Sequence, residues 1–531
     1  MTTYDAVVVG AGPNGLCAAN HLADAGWSVL VLEQQPDLGG AVRSARDVHP
    51  DFVHDTFSAF YPMAAASAAL QDLRLEDHGL VWEHAPAVLG HPLPDGSWGL
   101  LHRDRDVTAG LVEDAHPGDG EAWLKLCRQW DHVGESLVSG LLTPFPPLRP
   151  VPHGLVGLGR AGGPVFLRDL LSPAEDLARR RFRGTGLRAM VAGNAGHADI
   201  PLDERGSGLI GLLMSMLGQT VGFPVPRGGA GELTQALARR LQSLGGEIRC
   251  GEAVERIGVR RGRASSVHTN SGTSYAAHAV VACVTAPQLY GGQRPGLLDP
   301  DDVPRRVSWG MRRFVLDPGT VKVDWALSGP VPWAQAPAYA PGTVHVADDV
   351  DDMVSALRQV ADGVLPAKPF LLAGQMTTSD PTRSPRGTES LWAYTHVPQR
   401  VRADAGEQGI SGAWDRDECD RFADRMQARI ERLAPGFGSR VLARRVLGPH
   451  ELEARDANLL GGALNGGTSR LGQELVLRPV PGLGRAETGV RGLYLGSASA
   501  HPGGAVHGAP GFNAARAAVA HRRLGRWRQL S

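Results

Sequence analysis

The sequence predicts an α/β fold in which a parallel-sheet domain is assembled from three separated pieces of chain, with an α+β domain filling the gaps. Three observations predict it. A β-branched run at the amino terminus passes through a glycine-rich turn into an amphipathic helix. Strand and helix patterning returns over residues 223–290 and again at the carboxyl end. The stretches between are richer in Pro and Trp and irregular in spacing.

Tyr4 to Val9 reads as a buried strand because Ala6-Val7-Val8-Val9 is continuous and β-branched, as in parallel strands covered on both faces. Leu16, Ala19, Leu22 and Ala23 then recur at helical spacing until Gly26. Ser28 to Glu33 follows as a second apolar strand ending in a carboxylate, which completes a βαβ unit. Gly231 opens an amphipathic helix that stops at Gly245-Gly246. Glu247–Cys250, Ala253–Val259, Ala264–Thr269 and Ala279–Val284 read as a meander of strands separated by turn residues. At the far end Gly492–Leu495 is a short strand, Gly496–Gly511 a loop and Asn513–Leu524 a helix.

The expected domain boundaries are 1–74, 221–294 and 446–531 for the first domain, and 75–220 and 295–445 for the second. The second contains a proline-dense segment, Pro144 to Pro152, expected to be stiff and extended. Ser172-Pro173-Ala174-Glu175 has the pattern of a helix-starting capping box.

Composition excludes several function classes. The 531 residues are 42% apolar with 69 glycines, far from a disordered composition. Lys+Arg of 54 against Asp+Glu of 55 leaves a net charge of -1, so no basic field is present and no nucleic-acid partner is expected. Five dispersed cysteines form no C-x-x-C, which argues against a disulfide framework and a clustered zinc site. His450-Glu451 begins like a zinc-binding helix, yet Ala454 stands where the second His belongs. The longest apolar stretch, Gly208 to Gly218, is about half of the roughly twenty residues a bilayer crossing needs. No secretion signal precedes the first strand, so a cytoplasmic protein is expected.

The chemistry sits in Gly10-Ala11-Gly12-Pro13-Asn14-Gly15. Between a strand and a helix, G-x-G-x-x-G gives a tight turn, close backbone approach to a pyrophosphate and a helix N-terminus facing the phosphates. Glu33, eighteen residues after Gly15 and followed by Gln34, stands where a carboxylate accepts hydrogen bonds from a ribose. A second match, Gly157-Leu-Gly159-Arg-Ala-Gly162, lacks the preceding strand and is read as a loop. Gly39-Gly40-Ala41-Val42-Arg43-Ser44 adds glycines near the pyrophosphate and a guanidinium to neutralise it.

The spacing from Glu33 to Gly40, Arg43 and Ser44 resembles the FAD-containing oxidoreductases of the amine oxidase and phytoene desaturase superfamily. The carboxyl-terminal Leu493-Tyr-Leu-Gly-Ser-Ala-Ser-Ala-His501 through Gly511-Phe-Asn is similar to the phytoene-desaturase-like branch. Leu170–Leu177, Pro226–Leu233 and Gly461–Gly467 resemble relatives described as pyridine nucleotide-disulfide oxidoreductase domain-containing proteins. The resemblance implies a Rossmann-like FAD-binding domain of the glutathione-reductase/amine-oxidase type and FAD as cofactor. It also implies adenine contact through Val254, ribityl or phosphate contact through Gly496 and Ser497, and Gly511, Phe512 and Asn513 beside the flavin at a helix N-terminus. Disulfide chemistry is not carried over without a C-x-x-C.

No catalytic residue is identified. His501 is the one weak candidate, read against a loop histidine bonded to backbone. His54 and Tyr61 either line the flavin or pack, and Cys283 reads as core. The reaction implied is dehydrogenation (desaturation) of a small apolar molecule, isoprenoid or natural product, by hydride transfer to flavin N5. An external electron acceptor (oxygen, quinone or other) then reoxidises the flavin. The alternatives are a flavin-dependent isomerase, an amine or natural-product oxidase, and a non-catalytic flavin-binding interaction protein. The Arg179–Arg183 run, the arginine-rich tail and the Leu141–Leu158 segment leave room for peripheral contact with a membrane.

Overall fold

The computed structural model describes residues 3–147 and 150–530, with side chains to residue 525. Two seven-stranded sheets organise it. The first has the order Val254–Arg260, Arg263–Thr269, Ser274–Ala282, Thr3–Val9, Val29–Leu32, Glu247–Arg249, with Leu493–Leu495 pairing onto Ser274–Ala282. Thr3–Val9 lies parallel to both neighbours, Val8 opposite Val31 and Val281. Its side chains alternate between two cores: Ala6 and Val8 face the helices Pro13–Asp24, Gly231–Ser243 and Ala509–Leu530, while Val7 and Val9 face residues 286–307 and 480–495. That two-sided burial is why the run is apolar without alternation.

Glu247–Arg249 departs from the expected meander. It follows a helix and adds in parallel to Val29–Leu32, extending the nucleotide sheet, and only the next three strands zigzag. Leu298, Val303 and Val307 also pack on this sheet, past the expected boundary at 294.

The second sheet has the order Val441–Leu447, Gly319–Leu327, Glu389–Val397, Leu371–Gln375, Pro341–Val346, Ala87–Pro92, Trp98–Leu101. Its edge strand runs two residues past the expected end of the second domain at 445. One face is dry: Val321, Val323, Trp325, Leu391, Ala393 and Val344 pack against Phe422, Met426 and Ile430 of the helix Arg416–Leu433. The alternate residues face the other way.

Three local expectations are corrected. Pro150 and Pro152 open a helix, Pro150–Arg160, because proline is tolerated in a first turn whose N–H groups have no partner; the Gly157–Gly159 segment read as a loop belongs to it. Ser172 does not cap the next helix, which begins at Ala174: it ends the preceding one, its Oγ donating to the carbonyls of Arg168 and Asp169. The last helix begins at Ala509, four residues earlier than expected, with Pro510 in its first turn.

Candidate active site

The amino-terminal turn, the acidic strand end and part of the carboxyl-terminal glycine-rich loop line one cavity of about 1970 Å³. A pocket for a single small ligand spans roughly 300–1,000 Å³, so there is room for a dinucleotide and a second molecule. At the nucleotide end the Gly10 N–H bonds the Leu32 carbonyl at 2.7 Å, and Gly10 has φ +98°, which only glycine adopts readily. A Cβ on Gly15 would collide with the Gly10 carbonyl oxygen, so that glycine lets helix and strand touch. The helix Pro13–Asp24 starts at Gly12 with no side-chain cap, leaving its first N–H groups free for an anion.

Glu33 is buried with both oxygens fixed. Oε2 accepts the Ala11 N–H at 2.8 Å and Oε1 the Gln35 N–H at 2.9 Å. Each oxygen keeps a lone pair for a hydroxyl donor in the cavity. Gly10, Gly12, Pro13, Asn14 and Gly15 line the same end, as do Glu33, Gln34, Gly40 and Val254. Ala11 sits behind them and acts through its N–H. Asn14 Oδ1 is buried there without a partner.

Other expected contacts are placed elsewhere. Arg43 donates to the carbonyls of Gly40 (3.0 Å) and Arg455 (2.7 Å), so it braces the glycine turn and does not line the cavity. Ser497 lines the cavity and Gly496 does not. Because the last helix begins early, Gly511, Phe512 and Asn513 belong to its first turns and face away. A Cβ on Gly511 would collide with the Asn14 carbonyl oxygen. Phe512 packs on His21 at 4.3 Å between ring centroids, and Asn513 Nδ2 donates to the Leu142 carbonyl. Ala505, Val506 and His507, just before that helix, take their place on the cavity wall.

His501 lines the cavity, but its Nε2 donates to the Thr143 carbonyl at 2.8 Å and burial holds its pKa below the ordinary value. It is a neutral imidazole tied to backbone. Tyr61 lines the cavity, whereas His54 is buried away from it with Nε2 on the Trp325 carbonyl. Cys283 lies at the cavity edge, its thiol pushed up to about 12 by burial, which leaves no thiolate for chemistry. Among the described residues no group of three or more His, Cys, Asp or Glu is placed to hold a metal ion.

The far end of the cavity is the non-core face of the second sheet, which the sequence reasoning missed. Thr320, Lys322, Trp392, Tyr394 and Thr343 are alternate residues of Gly319–Leu327, Glu389–Val397 and Pro341–Val346, and all reach it. Their period-two pattern, Thr-Val-Lys-Val and Trp-Ala-Tyr-Thr-His, was the available signal. Leu213, Met214 and Phe223 close the opposite wall. Lys322 is fully buried: Nζ pairs with Asp324, donates to the Asp55 carbonyl at 2.9 Å and stands 5.8 Å from the Trp392 ring centroid. Burial pulls its pKa down against the pull of Asp324. Burial also works against the Asp324 charge, but Lys322 and Arg445 outweigh it and hold that carboxyl below its usual range.

Residues 8–73 match the model of an NAD(P)-binding Rossmann-like domain, and residues 166–321 that of the flavin containing amine oxidoreductases. The chain is a FAD-dependent oxidoreductase. The oxidoreductase is 28% identical to pyridine nucleotide-disulfide oxidoreductase domain-containing protein 2 of Mus musculus, over 96% of this chain and 92% of that one. It is 23% identical to a phytoene desaturase of Fusarium fujikuroi, over 94% and 86%. Wild-type putrescine oxidase bound to putrescine shares the fold, with a TM-score of 0.59 at 16% identity over 98% of this chain and 99% of that one.

The residues present fit FAD. Gly12 and Gly40 form a cradle that side chains would fill, since a Cβ on Gly40 would stand 3.0 Å from Gly12 Cα. The uncapped helix start, the open lone pairs of Glu33 and the unpartnered Asn14 Oδ1 are groups that a dinucleotide satisfies.

Proposed function

We propose that this oxidoreductase dehydrogenates an extended, largely apolar molecule held between the nucleotide end of the cavity and the second sheet. Bound FAD supplies a hydride acceptor for a substrate C–H bond. The observation that carries the reading is the continuous cavity in which Trp392 and Tyr394 of the second sheet stand opposite Leu213, Met214 and Phe223. These side chains align the chain and exclude water, which is what a C–H donor without acidic protons needs. Lys322 argues against an amine: an ammonium substrate would meet a buried cation whose carboxylate partner is already shared with Arg445. In anaerobic mixing of the FAD-loaded protein with terpenoid and amine panels, terpenoids should bleach the visible flavin band. Bleaching by amines alone would refute the reading.

The electron acceptor is external, a quinone or oxygen. Contact with a membrane surface is proposed on the exposed apolar side chains Val151, Leu155 and Val156 of Pro150–Arg160, with Val165, Leu167 and Leu171 of the helix that follows. Leu141 and Leu142, just upstream, line the cavity. Arg179, Arg180 and Arg181 do not contribute, being paired with Asp351 and Asp169. Arg522 is paired with Asp5, and the side chains of Arg526, Trp527 and Arg528 lie outside the described residues. No described helix is long and apolar enough to cross a membrane. Sedimentation with vesicles should fall when Leu155 and Val156 are changed to Ser.

A further inference from the structure

We infer that the apolar arm ends in a hydrogen-bond donor, His197 Nδ1–H, which takes an acceptor oxygen, carbonyl or hydroxyl, on an otherwise apolar substrate. The inference rests on the cavity reading above and narrows its substrate class.

His197 is half-buried on the cavity wall, edge-on to Phe223 at 6.3 Å between ring centroids. Its Nε2 lies 3.0 Å from Nε2 of His345, on the strand Pro341–Val346. One of those nitrogens donates and the other accepts, and the surroundings of His345 decide which. His345 Nδ1 is buried without a partner. Gly193 packs so closely on it that a Cβ there would collide with that nitrogen. A proton on His345 Nδ1 would be a buried, orphaned N–H, which native structures avoid more strictly than an unfilled lone pair. The proton therefore sits on His345 Nε2 and is donated to His197 Nε2. A neutral His197 must then carry its own proton on Nδ1, the nitrogen left for an occupant of the cavity. His91 repeats the pattern behind His345, donating from Nε2 to the Ala347 carbonyl at 3.1 Å with its Nδ1 bare.

Both imidazoles are held neutral: burial drops His197 to about 3 and holds His345 well below its ordinary value. The arm therefore offers a neutral donor and no fixed charge at this point. Thr343 and Thr320 Oγ1 also line the cavity, buried and without partners. A pure hydrocarbon would leave all three groups unpaired, whereas an oxygen function satisfies His197 and has hydroxyls within the same wall.

The test is equilibrium dialysis of the FAD-loaded protein against dodecane, lauryl alcohol and the methyl ketone of equal chain length. Wild type should hold the two oxygenated probes roughly tenfold or more tighter than the alkane. H197F should lose that preference. H197N, whose amide keeps a donor near the Nδ1 position, should retain part of it and guards against a folding artefact. Equal affinities in wild type, a preference undiminished in H197F, or binding of none of the probes would overturn the inference. Dialysis reads ligand and not turnover. A protein that shows the preference but never reduces its flavin would sink the dehydrogenase reading and leave this one standing.

Discussion

The carboxylate of Glu33 accepts the Ala11 N–H at 2.8 Å, so the end of the second strand is bolted to the glycine turn that follows the first. This bond fixes the carboxylate before any ligand arrives and aims its free lone pairs into the cavity.

Glu33→Ala should therefore weaken FAD binding about 10- to 100-fold, the range for losing one hydrogen bond to a charged acceptor. Titration of the apoprotein, followed by quenching of FAD fluorescence, measures it. An unchanged affinity would show that the ribose is held elsewhere.

The last helix makes a second, less obvious prediction. Gly511→Val should destabilise the fold by about 1–3 kcal/mol, because its side chain meets the Asn14 carbonyl where two helices cross. Phe512→Leu should leave the visible flavin spectrum unchanged, since that ring packs on His21 outside the cavity. A spectral shift in Phe512→Leu would restore the flavin contact implied by the resemblance.

Around Lys322 the two partners should behave unequally. Asp324 accepts from Lys322 and, at 3.0 and 2.7 Å, from Arg445. Asp324→Ala strands the buried Lys322 and leaves Arg445 with Asp47 alone, and should cost about 3–5 kcal/mol in denaturant unfolding. Lys322→Met leaves the Arg445 pair intact and should cost clearly less.

Stability should fall on acidification from pH 7 to 5. Ten histidines (21, 54, 84, 91, 197, 268, 345, 396, 501 and 507) have lowered pKa values, burial being the largest cause in each. Below about pH 6.5 the unfolded chain takes up protons there that the folded chain refuses, which favours unfolding. Asp317 and Asp456 at about 6, with Glu389 and Glu474 at about 7, work the other way, because burial keeps them protonated in the folded chain. The histidines outnumber them, so the melting temperature should drop. A rise would mean the carboxyls dominate.

Most of the nucleotide end was legible in the sequence because its constraints are local. A positive φ, a helix touching a strand and a carboxylate at a strand end each leave a residue type at a fixed spacing, as Gly10, Gly15 and Glu33 show. Gly511 to Asn513 do not line the cavity because the last helix starts a turn earlier than expected, and a first-turn proline did not mark that start. Arg43 was misread because a guanidinium near a phosphate loop can equally brace the loop. His197 and Lys322 were missed for another reason, although the alternation around Lys322 marks a strand face. Their meaning depends on a sheet whose strands come from residues 87 to 447 and on pairing partners such as His345 far away in sequence.

The most direct test of the account is to purify the protein, record its visible spectrum, release the cofactor by denaturation and identify it. The account predicts a yellow protein releasing one FAD per chain, with the Glu33→Ala protein largely stripped. A colourless wild-type protein that takes up no added FAD, or one that releases a different nucleotide, would contradict it.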